Sequence, residues 1–146
     1  MQVIATNRGA GHYVPTGSPM RFIVLEVVAK NSKGNIIWRN WQSNPIAEDP
    51  GAVFMRLLES DDGRAPVPPW EAVRERFDQR LRPDEPRKLV YSIPDVDVFS
   101  IEAKLIYRAA PPQLLKKLGI TEKCYIEPRI MATEIAVPQR LGDNPK

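Results

Sequence analysis

The stretch MRFIVLEVVAK, residues 20–30, decides how this chain folds. Successive side chains of a β-strand point to opposite faces of its sheet. The odd positions from Ile23 to Ala29 are all apolar, and the even positions from Phe22 to Val28 are apolar except for Glu26. Because both faces of this strand are apolar, the pattern predicts a strand in the middle of a sheet, covered on both sides.

Short β-rich runs surround this strand in both directions. The turn 31–35 follows it, with Gly34 placed to supply a positive φ, and residues 36–41 continue as the second strand of a hairpin. Alternating or apolar runs predict further strands at 3–7, 53–58, 89–93, 101–108 and 129–137. Many short strands at similar spacing are typical of a β-sandwich.

The chain contains 15 prolines scattered along its length, which disfavours long helices. One short helix is predicted at 111–119, where Pro111-Pro112 begins it and Gly119 ends it, and one helical turn at 70–76. The sequence thus predicts an all-β, mainly antiparallel fold, an immunoglobulin-like β-sandwich with one or two short helices. Residues 1–138 form the predicted domain, and residues 139–146 a polar C-terminal tail.

Composition excludes several classes of protein. The 146 residues are 42% hydrophobic, which suits one folded core. The 21 basic and 18 acidic residues nearly balance, and the arginines between 74 and 87 alternate with acids, so no nucleic-acid partner is expected. The apolar run 22–29 is too short to span a membrane. Residues 1–7 lack the pattern of a signal peptide.

The inventory of catalytic groups is small. His12 and Cys124 are the single histidine and single cysteine, which excludes an internal disulfide and a four-ligand Cys/His zinc site. No Cys-x-x-Cys-His motif occurs, so this chain attaches no c-type haem covalently. Asp61-Asp62-Gly63 favours a turn over acid–base chemistry or a calcium site. We therefore expect no enzymatic activity and assign no catalytic residue.

The most unusual segment is the loop 7–17, Asn-Arg-Gly-Ala-Gly-His-Tyr-Val-Pro-Thr-Gly, which contains His12. Glycines and a proline at this density fix a particular backbone path. The histidine has two interpretations. It either hydrogen-bonds the loop to the domain, or it presents its imidazole to an external group such as a haem iron.

This segment, followed by an Arg21-led apolar strand, resembles the C-terminal β-sandwich domain of periplasmic multihaem c-type cytochromes. The resemblance continues in Gly34 with 36–38, in 61–63, 68–72 and 78–85, and in 105–112 with 118–119. It covers roughly residues 3–137. The Gly-His-x-x-Pro-Thr-Gly core and the Tyr-Arg-x-x-Pro-Pro segment together carry most of its specificity.

The resemblance implies a non-catalytic accessory domain that packs against a haem-bearing domain of the same polypeptide, or against a cytochrome subunit, and supports electron transfer. It implies haem c in the parent protein and a periplasmic or other extracytoplasmic location. His12 is a candidate distal ligand of a haem iron. The residues expected to face the haem domain are Asn7, Gly11, His12, Tyr13, Pro15, Thr16, Gly17 and Arg21.

Two other functions stay open. A stand-alone sandwich could bind a glycan, peptide or protein through an aromatic platform of Trp38, Trp41 and Trp70, although a core position is favoured for Trp38. A hydrolase would require His12 beside a serine and an acid, without any nucleophile-elbow sequence. The oligomeric state and the exposure of Cys124 are also left open by the sequence.

Overall fold

The computed structural model describes residues 1–94 and 96–138 and confirms the predicted all-β fold. The strands of this part of the chain are β1 (Gln2–Thr6), β2 (Phe22–Lys30), β3 (Ile36–Arg39), β4 (Val53–Phe54), β5 (Arg56–Glu59), β6 (Arg74–Asp78), β7 (Pro86–Val90), β8 (Ser100–Arg108) and β9 (Arg129–Ala136). The helices are α1 (Pro45–Glu48), α2 (Pro112–Lys117) and α3 (Lys123–Ile126), with 3-10 turns at Pro50–Ala52 and Pro69–Glu71.

Strand β2 lies in the middle of the main sheet, whose order is β3-β2-β8-β9. Strands β3 and β4 pair with successive parts of β2, and β8 pairs with β2 along its whole length, always antiparallel. Gly34 has a φ of +80° in the β2–β3 turn. The predicted hairpin and the predicted central position of β2 are both confirmed.

Both faces of β2 are buried, against different parts of the chain. One face contributes Ile23, Leu25 and Val27 to a cluster that includes residues of β1 and β7. The other face contributes Phe22 and Val24 to a second cluster with residues of β4 and β5. Two-stranded sheets, β1–β7 and β5–β6, thus accompany the main sheet, so the described strands form three sheets.

The helical turn predicted at 70–76 is wrong for most of its length. Helical geometry is confined to the 3-10 turn Pro69–Glu71, and strand β6 begins at Arg74 and pairs with β5. Glu59 of β5 is only 1% exposed, and the guanidinium groups of Arg74 and Arg76 contact its carboxylate. Strand spacing places these two arginines on one side of β6, where they compensate the buried charge of Glu59.

The region of β4, β5 and α1 also differs from the sequence pattern. The predicted strand 53–58 is divided at Met55 into β4 and β5, which belong to different sheets. Helix α1 was not predicted. Just before it, the backbone N–H groups of Gln42, Ser43 and Asn44 donate to the carboxylate of Glu48 within the helix. These bonds hold the pKa of Glu48 at about 2. The helix predicted at 111–119 is confirmed as α2, with Gly119 at a φ of +66° after it.

A polar network fixes the segment that connects β3 to β4 against strand β2. The Asn40 side chain accepts from the Val27 N–H at 2.8 Å and donates to the Leu25 carbonyl and the Asp49 carboxylate. The Tyr91 hydroxyl donates to the same Asp49 carboxylate at 2.9 Å. Burial, followed by this bond to Asp49, raises the pKa of Tyr91 well above its usual value. Asn40 thereby extends the hydrogen bonding of β3 by a side chain.

Strand β9 is the last strand at its edge of the main sheet, and all its residues are exposed. We call Ile130, Met131, Ile135 and Val137 the β9 surface; Ile130 is 62% and Met131 is 53% exposed. No helix within the described ranges is long and apolar enough to cross a membrane. The predicted tail 139–146 lies outside the described residues, and the division at 138 stays a prediction.

Candidate interaction site

The loop 7–21, here called the His12 loop, is held at its beginning by Asn7. The Asn7 side chain is 7% exposed and donates from Nδ2 to the His12 carbonyl at 2.8 Å and to the Leu81 carbonyl at 3.3 Å. The Asn7 carbonyl accepts from the Asp84 N–H at 2.9 Å. A buried amide that satisfies several backbone groups fixes the chain path on both sides of it. Asn7 therefore positions the loop and is itself buried.

A second attachment follows the histidine. Val14 and Leu81 exchange backbone hydrogen bonds, each 2.9 Å long, as an isolated antiparallel bridge. Leu81 and Pro15 are buried, and the Val14–Pro15 peptide bond is cis. The loop is thus fastened to the segment between β6 and β7 on both sides of residues 8–13.

His12 is exposed at the tip between these two attachments. Its Nδ1 lies 3.0 Å from the Tyr13 carbonyl oxygen, and because that oxygen is an acceptor, Nδ1 must be the donor. In the neutral imidazole this bond leaves Nε2 with a free lone pair, the state in which histidine binds a metal ion. Among the described residues, no hydroxyl or carboxylate hydrogen-bonds the ring, so the arrangement of a hydrolase triad is not found there.

Two arginines lie over the ring of Tyr13, the residue after His12. The guanidinium carbon of Arg80 is 5.0 Å from the ring centroid and that of Arg82 is 5.8 Å from it, distances typical of cation–π contacts. Asp78 holds Arg80 through two hydrogen bonds of 2.9 and 2.7 Å, and these lower the pKa of Asp78. Arg80 and Arg82 belong to the run that the sequence analysis interpreted as an ordinary solvated surface. In the structure, both contact the Tyr13 ring of the loop.

The end of the loop is fixed by Arg21, which donates from Nη1 to the Thr16 carbonyl at 3.2 Å. Gly17 lies under this guanidinium with a φ of +81°. A Cβ at position 17 would lie 2.7 Å from the Arg21 Nη1. Glycine is favoured here by its positive φ, and a larger residue would also displace the Arg21 guanidinium.

An open groove of about 530 Å³ adjoins the end of the His12 loop, and we call it the Trp70 groove. Its lining includes Met20 and Arg21 from the loop, Trp70, and Leu118, Tyr125 and Arg129 from the region of α2, α3 and β9. Trp70 is 71% exposed, whereas Trp38 and Trp41 pack against opposite faces of the main sheet. The three tryptophans therefore do not form one exposed platform.

The structure brings all the sequence-predicted site residues together in one loop, but it gives them different positions. His12, Tyr13, Thr16, Gly17 and Arg21 are exposed, as is Gly11, whereas Asn7 and Pro15 are buried. Sequence analysis missed the Trp70 groove, because it is assembled from segments distant in the chain. It also missed the β9 surface, for which large apolar residues at both odd and even positions of the last strand were a usable signal.

The described residues have a limited capacity to bind a metal ion. No group of three or more His, Cys, Asp and Glu side chains in the described ranges is placed to hold a metal ion. One axial position of a haem requires a single donor, and the exposed His12 Nε2 fits that requirement. Cys124 is a free, exposed thiol, which answers the question of its exposure.

A penta-haem cytochrome c552 from Thermochromatium tepidum has a similar solved structure. It aligns with 94% of this chain at 32% sequence identity and a TM-score of 0.83. The aligned part is 35% of that cytochrome's chain, so this chain spans about a third of its length. No protein-family model and no curated protein matched the chain. Over nearly its whole length, the chain is thus similar to one part of a penta-haem cytochrome c552.

Proposed function

We propose that this chain is a non-catalytic accessory domain of a multihaem cytochrome c, which packs against the haem-bearing part and supports electron transfer. The observation that carries the proposal is the similarity to one part of a penta-haem cytochrome, at 32% identity over 94% of this chain. The haem-bearing part belongs to the same polypeptide or to a cytochrome subunit, in the periplasm or another extracytoplasmic compartment.

The chain itself supplies a surface. With a single cysteine it attaches no c-type haem covalently, so the haem c groups belong to the partner part. A protein surface placed over a haem edge changes the solvent exposure and hydrogen bonding that set a reduction potential. The His12 loop is suited to this role because Asn7 and the Val14–Leu81 bridge hold its backbone while His12 and Tyr13 stay exposed.

The first test is the native protein that contains these residues. An antibody against the 146-residue chain identifies the polypeptide, and its mass and its pyridine haemochrome spectrum are then measured. A larger haem-bearing polypeptide, or co-purification with one at fixed stoichiometry, supports the proposal. A native polypeptide with neither bound haem nor a haem-bearing subunit contradicts it.

A finer part of the proposal concerns His12 as a distal ligand of one haem iron. The Nδ1–H bond to the Tyr13 carbonyl orients the ring and leaves Nε2 available as the donor. When bound, the haem would exchange electrons, and this chain would supply only that nitrogen. In the native haem protein, His12→Ala should convert one low-spin bis-nitrogen haem to a high-spin spectrum, whereas Arg8→Ala, a control on the same loop, should not. An unchanged spectrum in H12A would reject ligation and leave the accessory role standing.

A stand-alone binding module for a glycan, peptide or protein is the second candidate function. The Trp70 groove favours it, because Trp70 and Tyr125 are exposed aromatic side chains within one concave surface. Titration of the chain with glycan and peptide arrays, with Trp70→Ala as the matched variant, tests it. Binding that W70A abolishes, in a native protein without haem, would favour this candidate over the first.

A further inference from the structure

Among the long strands of the main sheet in the described part of the chain, β9 is the one whose residues are all exposed. A register shift at Leu105/Ile106 interrupts the alternation of β9, and Met131 is the extra residue of this bulge. Ile130 pairs with Ile106 and Ile135 pairs with Glu102, two positions on one face of β8, so Ile130 and Ile135 lie on the same face of the sheet. All three are more than half exposed. On one side of the sheet, an apolar cleft of about 380 Å³ lies between β1 and the β8–β9 pair, lined by residues such as Val3, Leu105 and Ala132. Contiguous exposed apolar surface of this kind marks an interaction site.

Within the 146 residues, the segment that follows the described part is short and mostly polar. Residues 139–146, Gln-Arg-Leu-Gly-Asp-Asn-Pro-Lys, contain one large apolar residue, Leu141. Ile130, Met131 and Ile135 are all more than half exposed and need more apolar partners than that. We therefore expect the occupant to be another polypeptide segment that presents apolar groups to the edge strand.

The β9 surface is continuous with the His12 loop. Arg129, the first residue of β9, lines the Trp70 groove together with Met20 and Arg21 of the loop. Tyr125 of α3 lies in the same groove and is about half exposed. One partner that covers the loop would therefore also contact the groove and reach β9.

We propose that the haem-bearing polypeptide covers the Trp70 groove and the β9 surface, in addition to the His12 loop. This inference rests on the proposed function and specifies which surface that function uses. It is favoured over a second copy of this chain because the matched part is only 35% of the T. tepidum cytochrome chain, so most of that chain lies outside the match.

Hydroxyl-radical footprinting of the 146-residue chain and of the native haem protein tests the inference. Met131 and Tyr125 react readily when exposed. Their modification rates should fall roughly tenfold in the native protein, because side chains in the core of an interface lose contact with water. Ile37, 41% exposed on β3 at the opposite edge of the same sheet, is the internal control and should react equally in both samples.

Matched variants in the native protein make the assignment specific. Ile135→Lys should restore the reactivity of Met131, and Ile37→Lys should not, with circular dichroism confirming that both variants fold. Equal Met131 reactivity in the chain and in the native protein would overturn the inference while leaving the measured haem content, and with it the proposed function, intact. Protection that appears in the isolated chain with rising concentration would assign the surface to a second copy. A native protein without haem would overturn the inference together with the proposed function.

Discussion

Strands β2 and β9 belong to one sheet, and they differ in what covers their apolar side chains. The side chains of β2 are buried on both faces by β1, β4, β5 and β7, all from this chain. Those of β9 are exposed on both faces in the described structure. We call the part of the fold around β2 the β2 half and the part around β9 the β9 half. The free energy of folding is expected to depend mainly on the β2 half, whereas apolar area on the β9 half stays exposed and available for binding.

Polar groups show the same division. Around β2 and β3, Asn40, Asp49 and Tyr91 satisfy one another and the strand backbone. In the His12 loop, Asn7 fixes the backbone, but no described residue hydrogen-bonds His12 Nε2. Substitutions in the two halves should consequently separate stability from binding.

The largest expected effect is that of Phe54→Ala on β4. The Phe54 ring is fully buried in the cluster that joins β2 to β1 and β7, and its removal leaves a cavity. We expect a loss of about 3–5 kcal/mol in the free energy of unfolding, measured by guanidinium denaturation. Ile130→Ala on β9 is the matched control, since it removes apolar atoms that are already in water. Equal losses for the two variants would contradict the division.

Tyr91→Phe tests the polar network of the β2 half. It removes a hydroxyl that donates to the Asp49 carboxylate, and we expect a cost of about 2 kcal/mol near neutral pH. The pKa of Tyr91 is raised in the folded state, so the folded protein keeps a proton that the unfolded chain loses near pH 10. Stability should then be constant below that pH and fall above it. Urea unfolding between pH 8 and 11.5 should show this fall in the wild type and a weaker one in Y91F.

The core of the fold was predictable because it depends on local alternation. The pattern of 20–30 indicated a strand covered on both faces, and Gly34 indicated the hairpin; both are present. The 3-10 turn and strand at 69–78 were not predictable in the same way. In that strand, Arg74 and Arg76 contact the buried Glu59, and this contact is visible only once β5 and β6 are paired.

The candidate site was predictable in part. The density of glycine and proline identified the His12 loop, and Asn7, Gly17 and Arg21 take part in its fixed geometry. The Tyr13 contacts with Arg80 and Arg82 and the Trp70 groove were missed, because each joins residues far apart in sequence. Charge alternation alone does not tell a solvated arginine from one that packs on an aromatic ring.

A smaller effect is expected from Gly17→Ala in the His12 loop. Gly9 and Gly17 both have a positive φ, near +87° and +81°, so alanine at either position introduces backbone strain of about 1 kcal/mol. Only at position 17 would the new Cβ also meet the Arg21 guanidinium. We expect G17A to unfold at a lower urea concentration than G9A and to lose the Arg21–Thr16 bond, visible in the nuclear magnetic resonance signal of the Arg21 side chain. A larger loss of stability in G9A than in G17A would mean that backbone strain alone accounts for the effect.

The smallest effect is expected from Ile130→Ser on β9, and it tests the comparison most sharply. Because the Ile130 side chain is largely exposed and contributes little to the core, the free energy of unfolding of the isolated chain should change by less than about 0.5 kcal/mol. If the β9 surface is an interface, the same substitution should weaken the association with the haem-bearing part, because apolar contact is lost there. A substitution neutral for folding and harmful for association is expected only of a strand whose apolar side chains are buried by a partner. A loss of 2 kcal/mol or more in the isolated chain would instead place β9 in the folding core, together with β2.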